Sequence, residues 1–209
     1  MKIFLTYLWE NPRLFFSVMI IVVLSICIHE FMHAFAALKL GDDTAAKRGH
    51  LTLNPFKQMG WFSLILFCFL GLAWGRVPVN PANLRGKYAH AIVALAGPLS
   101  NIVLSQIFVI LTFICYKNHI GDDFSVSMLY YGAAINMVLF ILNMLPIPPL
   151  DGHTVLHTFV PSLSSTSSET VKGAFFIMVA LLFVFFNQLY KAAYAVTGSE
   201  LLVLEWLTK

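Results

Sequence analysis

His29-Glu30-Phe31-Met32-His33 sets two imidazoles one helical turn apart with a carboxylate between them. On a helix, residues i and i+4 face the same way, so both rings can reach one metal ion while Glu30 sits beside it. The surroundings raise the weight of the motif. From Leu14 to Leu38 these three residues are the only acid-base groups apart from Cys27. A charged side chain at membrane depth costs at least roughly 2.5–3.5 kcal/mol, so it needs a partner or a function. In a soluble chain the pentapeptide is a modest signal; inside hydrocarbon it is a strong one.

A catalytic zinc usually takes three protein ligands and keeps its fourth position open. The best candidate for the third, preferably anionic, is Asp151 in Asn143-Met144-Leu145-Pro146-Ile147-Pro148-Pro149-Leu150-Asp151-Gly152. Three prolines break the helix ahead of it and leave backbone groups without intrahelical partners. Lipid cannot satisfy those groups, so the segment must pack in protein or line a wet cavity. Taken alone, a Pro-rich turn closed by Asp-Gly is the plainer reading. Beside the 14–38 motif the ligand reading is favoured, with one Zn2+ per chain.

The elements that must position these residues follow from composition. The 209 residues are 59% hydrophobic and 11% charged, with mean hydropathy +0.80. Ordinary globular domains are about 25% charged. The expectation is an all-α integral membrane protein, a polytopic helical bundle forming one domain over 1–209. Four stretches are long enough to span: 14–38, about 88–116, about 128–148 and about 173–196. Between the first two, 61–74 is apolar for only 14 residues and lies between Gly60 and Gly75, which suits a re-entrant or interfacial segment. Thr166-Ser167-Ser168-Glu169 resembles a capping box for the last helix. A net charge of +3 without a basic stripe argues against nucleic acid as a partner. Cys27, Cys68 and Cys115 lie in apolar stretches and read as buried thiols.

If 61–74 spans, helices 14–38 and 128–148 end on opposite faces; if it is re-entrant, they end on the same face. The re-entrant topology splits Lys and Arg 8 to 5, against 7 to 6 for the spanning one. By the positive-inside rule the richer side is cytoplasmic, and the site opens there.

Three motifs in order, His29-Glu30-x-x-His33, Gly97-Pro98-x-x-Asn101 and Asn143…Pro148-x-x-Asp151-Gly152, resemble those of the site-2 proteases, the intramembrane zinc metalloproteases. The similarity runs from about residue 20 to about residue 155. Gly41-Asp42-Asp43-Thr44-Ala45, Leu51-Thr52-Leu53-Asn54-Pro55 and Val77-Pro78-Val79-Asn80-Pro81 are similar to the compact subgroup that lacks PDZ or CBS domains. The resemblance implies zinc ligands His29, His33 and Asp151, catalytic base Glu30, and Asn143 as a group binding substrate or the oxyanion. It also implies transmembrane protein or peptide substrates, the lipid bilayer as surroundings, and a prokaryotic cell membrane as location. One stretch departs: after Asn-Pro the subgroup commonly has a histidine and an aspartate, where this chain has Lys57-Gln58-Met59.

Two other readings compete. Histidine and carboxylate inside helices also mark ion paths, so a metal-ion transporter is one alternative. An inactive membrane-binding relative is the other, and Glu30 argues against it, because a structural metal site has no need of that base.

Overall fold

Asn11 and Pro12 start the helix that carries the histidines. The Asn11 side chain accepts from the Leu14 amide at 3.1 Å, and Pro12 lacks the N–H that a first turn leaves unpaired. In a computed structural model of the chain, which describes residues 4–160 and 191–202 with positions 173, 188, 204 and 205, the helices are as follows. A short α1 (Tyr7–Glu10) precedes α2 (Pro12–Lys39). The turns α3 (Thr44–Lys47) and α4 (Pro55–Gln58) lead to α5 (Gly60–Leu70). Then come α6 (Ala89–Lys117), α7 (Asp123–Asn143) and α8 (Asp151–Phe159).

Every α- or 3-10 element among the described residues is helical, and none is a strand. Three of them, α2, α6 and α7, are long and apolar enough to cross a membrane. At 1.5 Å per residue even α7, with 21 residues, reaches about 31 Å, the thickness of a hydrocarbon core. The chain is thus an all-α membrane protein. By the same rule α5, with 11 residues, is about 17 Å long and falls well short. It ends at Gly71, whose φ of +76° is the left-handed conformation that glycine adopts at no steric cost.

The third long helix lies five residues earlier at each end than the expected 128–148. Asp122 caps its start, accepting from the Ser125 amide at 3.1 Å. Its end at Asn143 follows from the prolines, which disfavour helical backbone in the residues before them. Of the expected 173–196 span, most residues lie outside the described set, as does the capping box at 166–169.

Two compact units divide the chain, residues 1–100 and 101–209. In the first, Ile26, Cys27 and Met59 form a buried apolar cluster with Val22, Val23, Leu64 and Ala73 around it. In the second, Met137, Val138 and Ala193 do so, flanked by Phe140, Ile141 and Leu142.

Candidate metal centre

His29, Glu30 and His33 are all buried on α2, at 6%, 7% and 7% exposure. The i, i+4 spacing brings the two rings edge to face, with their Nε2 atoms 2.9 Å apart. His33 is fixed from behind. Its Nδ1 lies 2.7 Å from the carbonyl oxygen of Val93 on α6. A carbonyl only accepts, so the Nδ1 carries the proton and the Nε2 presents its lone pair. That is the orientation a metal-binding histidine needs.

Close approach of α6 depends on Gly97. A Cβ at that position would overlap the His33 ring and stand 2.6 Å from the His29 Nε2. Gly75 plays the same part for the carboxylate: a Cβ there would overlap Glu30, with its Cδ at 2.6 Å. Neither glycine has a left-handed φ. The absence of a side chain is therefore what these positions require. Two facing imidazole nitrogens, one locked as a donor of its lone pair, beside a buried carboxylate, fit a first-row divalent metal.

Gly75 belongs to an irregular stretch, 72–80, tied down by buried side chains. Ser63 on α5 accepts from the Trp74 amide at 3.0 Å and donates to the Trp74 carbonyl at 2.7 Å. The Gln58 carbonyl accepts from Arg76 N–H at 2.9 Å. Asp42 accepts from the Asn80 amide at 2.7 Å, from Asn83 Nδ2 at 3.1 Å, and from both the amide and hydroxyl of Thr44. Burial pushes the Asp42 carboxyl up, but these hydrogen bonds outweigh it and hold the group below its ordinary value. Gln58 also explains the departure at Lys57-Gln58-Met59: its buried amide donates to the carbonyls of His50 and Thr52 at 2.8 and 2.6 Å. Asn54 caps α4 through its side chain.

Asp151 and Asn143 belong to the second unit. Asp151 is the first residue of α8, half-buried, after a series of turns over 144–150. Gly152 lets α8 start against the end of α7, because a Cβ there would overlap Met144 and stand 2.7 Å from the Leu145 carbonyl oxygen. Asn143 ends α7, its Nδ2 donating to the Leu139 carbonyl at 2.9 Å. Asn101, grouped by sequence with Gly97-Pro98, instead joins helices: its Nδ2 donates to the Asn136 Oδ1 at 3.0 Å.

The three residues that the sequence singles out on α2 lie buried together, and their neighbours Val93, Gly75 and Gly97 were not expected from it. For Gly97 the adjacent proline drew attention to the motif, but only the fold shows what the glycine faces.

The profile of Peptidase family M50 matches residues 116–185. The provisionally named zinc metalloprotease YwhC of Bacillus subtilis is 36% identical over 172 residues, covering 79% of this chain and 78% of that protein. The chain belongs to peptidase family M50. It is an intramembrane metalloprotease, and its substrates are proteins or peptides of the membrane. The relative Rip2 of Mycolicibacterium smegmatis, also provisionally named a zinc metalloprotease, is 32% identical over 82% of this M50 chain and 70% of its own length. An archaeal M50 relative, MJ0611 of Methanocaldococcus jannaschii, is 31% identical over 73% and 77%. No solved structure gives a significant match to the chain.

Proposed function

We propose that the chain hydrolyses peptide bonds in or near transmembrane segments of membrane-protein substrates, with one zinc ion held by His29, His33 and Asp151 and with Glu30 as general base. The observation that carries the reading is the buried trio on α2, two facing imidazoles with a carboxylate beside them. Zinc is the metal in the names of the relatives. For Asp151 the support is chemical: two neutral imidazoles call for an anionic third donor. The family match also spans the segment that presents it. The transporter alternative gains no support from the family or the relatives.

A zinc ion held there would supply Lewis acidity, lowering the pKa of water towards neutrality and polarising the scissile carbonyl. Glu30 takes the proton that water gives up and returns it to the departing amine. Val93 keeps the His33 proton on Nδ1 while this happens. Asn143 donates to the developing oxyanion; its Nδ2 has two hydrogens, one of them engaged with Leu139. Losing such a donor costs roughly 10²–10³ in rate. A substrate helix hides its carbonyls in i→i−4 bonds and must unwind locally, and the irregular backbone within 61–87 suits pairing with an extended stretch.

Glu30→Gln keeps the shape beside the metal, so zinc per chain is expected to stay near the parent's while cleavage of a transmembrane peptide collapses. Comparable cleavage by variant and parent would remove Glu30 from the mechanism. Asp151→Ala is expected to strip or loosen the zinc, and unchanged metal content would eliminate Asp151 as a ligand. The proposed site opens to the cytoplasm, with α5 not crossing the bilayer. Single cysteines at positions 47 and 85, in a background without the three native ones, should then label from the same face with an impermeant thiol reagent. Labelling from opposite faces would overturn that topology and the shared zinc site with it.

A further inference from the structure

Glu30 follows His29 directly on α2, and its side chain is long enough to take several rotamers. A base that works on one particular proton has to be held within about 0.5 Å of its working position. The backbone of Gly75 lies so close that any Cβ there would overlap the Glu30 Cγ and carboxylate. Gly75 has no left-handed φ, so the backbone itself would accept alanine. The three atoms nearest to such a Cβ all belong to Glu30.

Residues 72–80 have no regular structure to fix their place. Yet the two neighbours of Gly75 are both clamped. Trp74 is held through its N–H and its carbonyl by the Ser63 hydroxyl, and Arg76 through its N–H by the Gln58 carbonyl. Five residues on, Asp42 holds Asn80. Ser63, Gln58 and Asp42 are at most 1% exposed, so water is kept from their side of these bonds.

We propose that Gly75 is a positioning residue for Glu30: the clamped segment presses its bare backbone onto the carboxylate and sets the rotamer in which the base works. The inference rests on the reading of Glu30 as the base. The atoms that a methyl group at Gly75 would overlap are side-chain atoms of Glu30 from Cγ outward rather than backbone, so the fold and the metal ligands are expected to survive Gly75→Ala. The tightness of the clamps decides the size of the effect, since a segment free to retreat would accommodate the methyl group.

The test uses the full chain in lipid, assayed for zinc per chain, thermal stability, kcat and KM on a transmembrane peptide. Gly75→Ala should retain parental zinc content and melting temperature while kcat falls by up to roughly 10²-fold, the loss expected for a misplacement of about 1 Å, with KM unchanged. Ser63→Ala should lower kcat in the parent, since the segment loosens. In the Gly75→Ala background the same change should raise kcat, because the segment can then back away. Parental kcat in Gly75→Ala would overturn the proposal. So would zinc loss in step with rate, or a further fall when Ser63→Ala is added. Glu30→Gln assayed alongside separates the two readings: if it keeps activity the role of the base fails, and if it alone loses activity only the role of Gly75 fails.

Discussion

Buried polar side chains do different work in the stretch between α2 and α6 and in the two long helices that follow. Over residues 40–85, Asp42, Gln58 and Ser63 bind backbone amides and carbonyls of irregular chain. In α6 and α7, Asn101 binds Asn136, and Ser105 donates to the Ala133 carbonyl at 2.9 Å, so the polar groups tie helix to helix. The reason lies in the backbone. A helix pairs its own amides and carbonyls, whereas irregular chain away from water must borrow partners from side chains. Removing a side chain from the first region therefore strands backbone groups; removing one from the second strands little beyond its own partner.

The largest effect should come from Asp42. Asp42→Ala leaves the amides of Thr44 and Asn80 and the Asn83 side chain without their acceptor, a carboxylate that is itself fully buried. A donor stranded away from water costs about 1–3 kcal/mol and one that water reaches costs less, so a loss of roughly 1–3 kcal/mol is expected in chemical unfolding. The pH dependence has a definite sign. Because the folded Asp42 carboxyl lies below its ordinary value of 3.8, its stabilisation is fully present above that value and is lost as pH falls through the folded value. The Asp42→Asn variant should lose that part of the acid sensitivity. If parent and variant respond alike as pH falls below 3.8, the hydrogen bonds to Asp42 do not carry the region.

Gly97 tests the contact of α6 with the imidazoles. Gly97→Ala forces the His29 and His33 rings aside, and zinc affinity is expected to drop by about 10–100-fold, the range seen when the support of a ligand is disturbed. Competition with a chelator reads this directly. Unchanged affinity would mean that the rings accommodate a methyl group without moving their Nε2 atoms.

The same contrast explains what the sequence made legible. His29, Glu30 and His33 were readable because helix periodicity is local and an ionisable group in an apolar run stands out. The end of α7 was nearly so, since Pro146, Pro148 and Pro149 announce it, although the helix stops at Asn143, short of 148. Gly75 and Gly97 were not, because what a glycine faces is set by segments far away in the chain. Lys57-Gln58-Met59 was legible only as a departure from a pattern; its meaning, a buried amide bridging His50 and Thr52, needed the fold. Asp42 and Asp43 are the sharpest case. Two identical neighbours share one local environment in the sequence, and one of them is fully buried while the side chain of the other is half exposed.

Within the long helices, smaller effects are expected. A double-mutant cycle on Asn101→Ala and Asn136→Ala should give a coupling near 0.6 kcal/mol, the average for hydrogen bonds between membrane helices. A coupling above about 2 kcal/mol would erase the distinction between the two regions, because a helix-to-helix bond would then matter as much as a backbone clamp.

Asp43 gives the smallest effect and the cleanest control. Its carboxylate lies 2.8 Å from the Lys47 Nζ, a shorter contact than two of the four made by Asp42. Distance alone would rank the two aspartates as equals. Exposure separates them, since the side chains of Lys47 and Asp43 are 73% and 49% exposed. Water solvates both charges before and after the pair forms, salt screens their attraction, and two side chains lose freedom to meet. The pair, at i and i+4 across one turn, is worth about 0.2–0.5 kcal/mol. Asp43→Ala should therefore shift stability by no more than that, and the shift should shrink towards zero as salt is raised to 1 M. A loss comparable to that of Asp42→Ala would show that position in the turn, rather than burial of the carboxylate, governs this region.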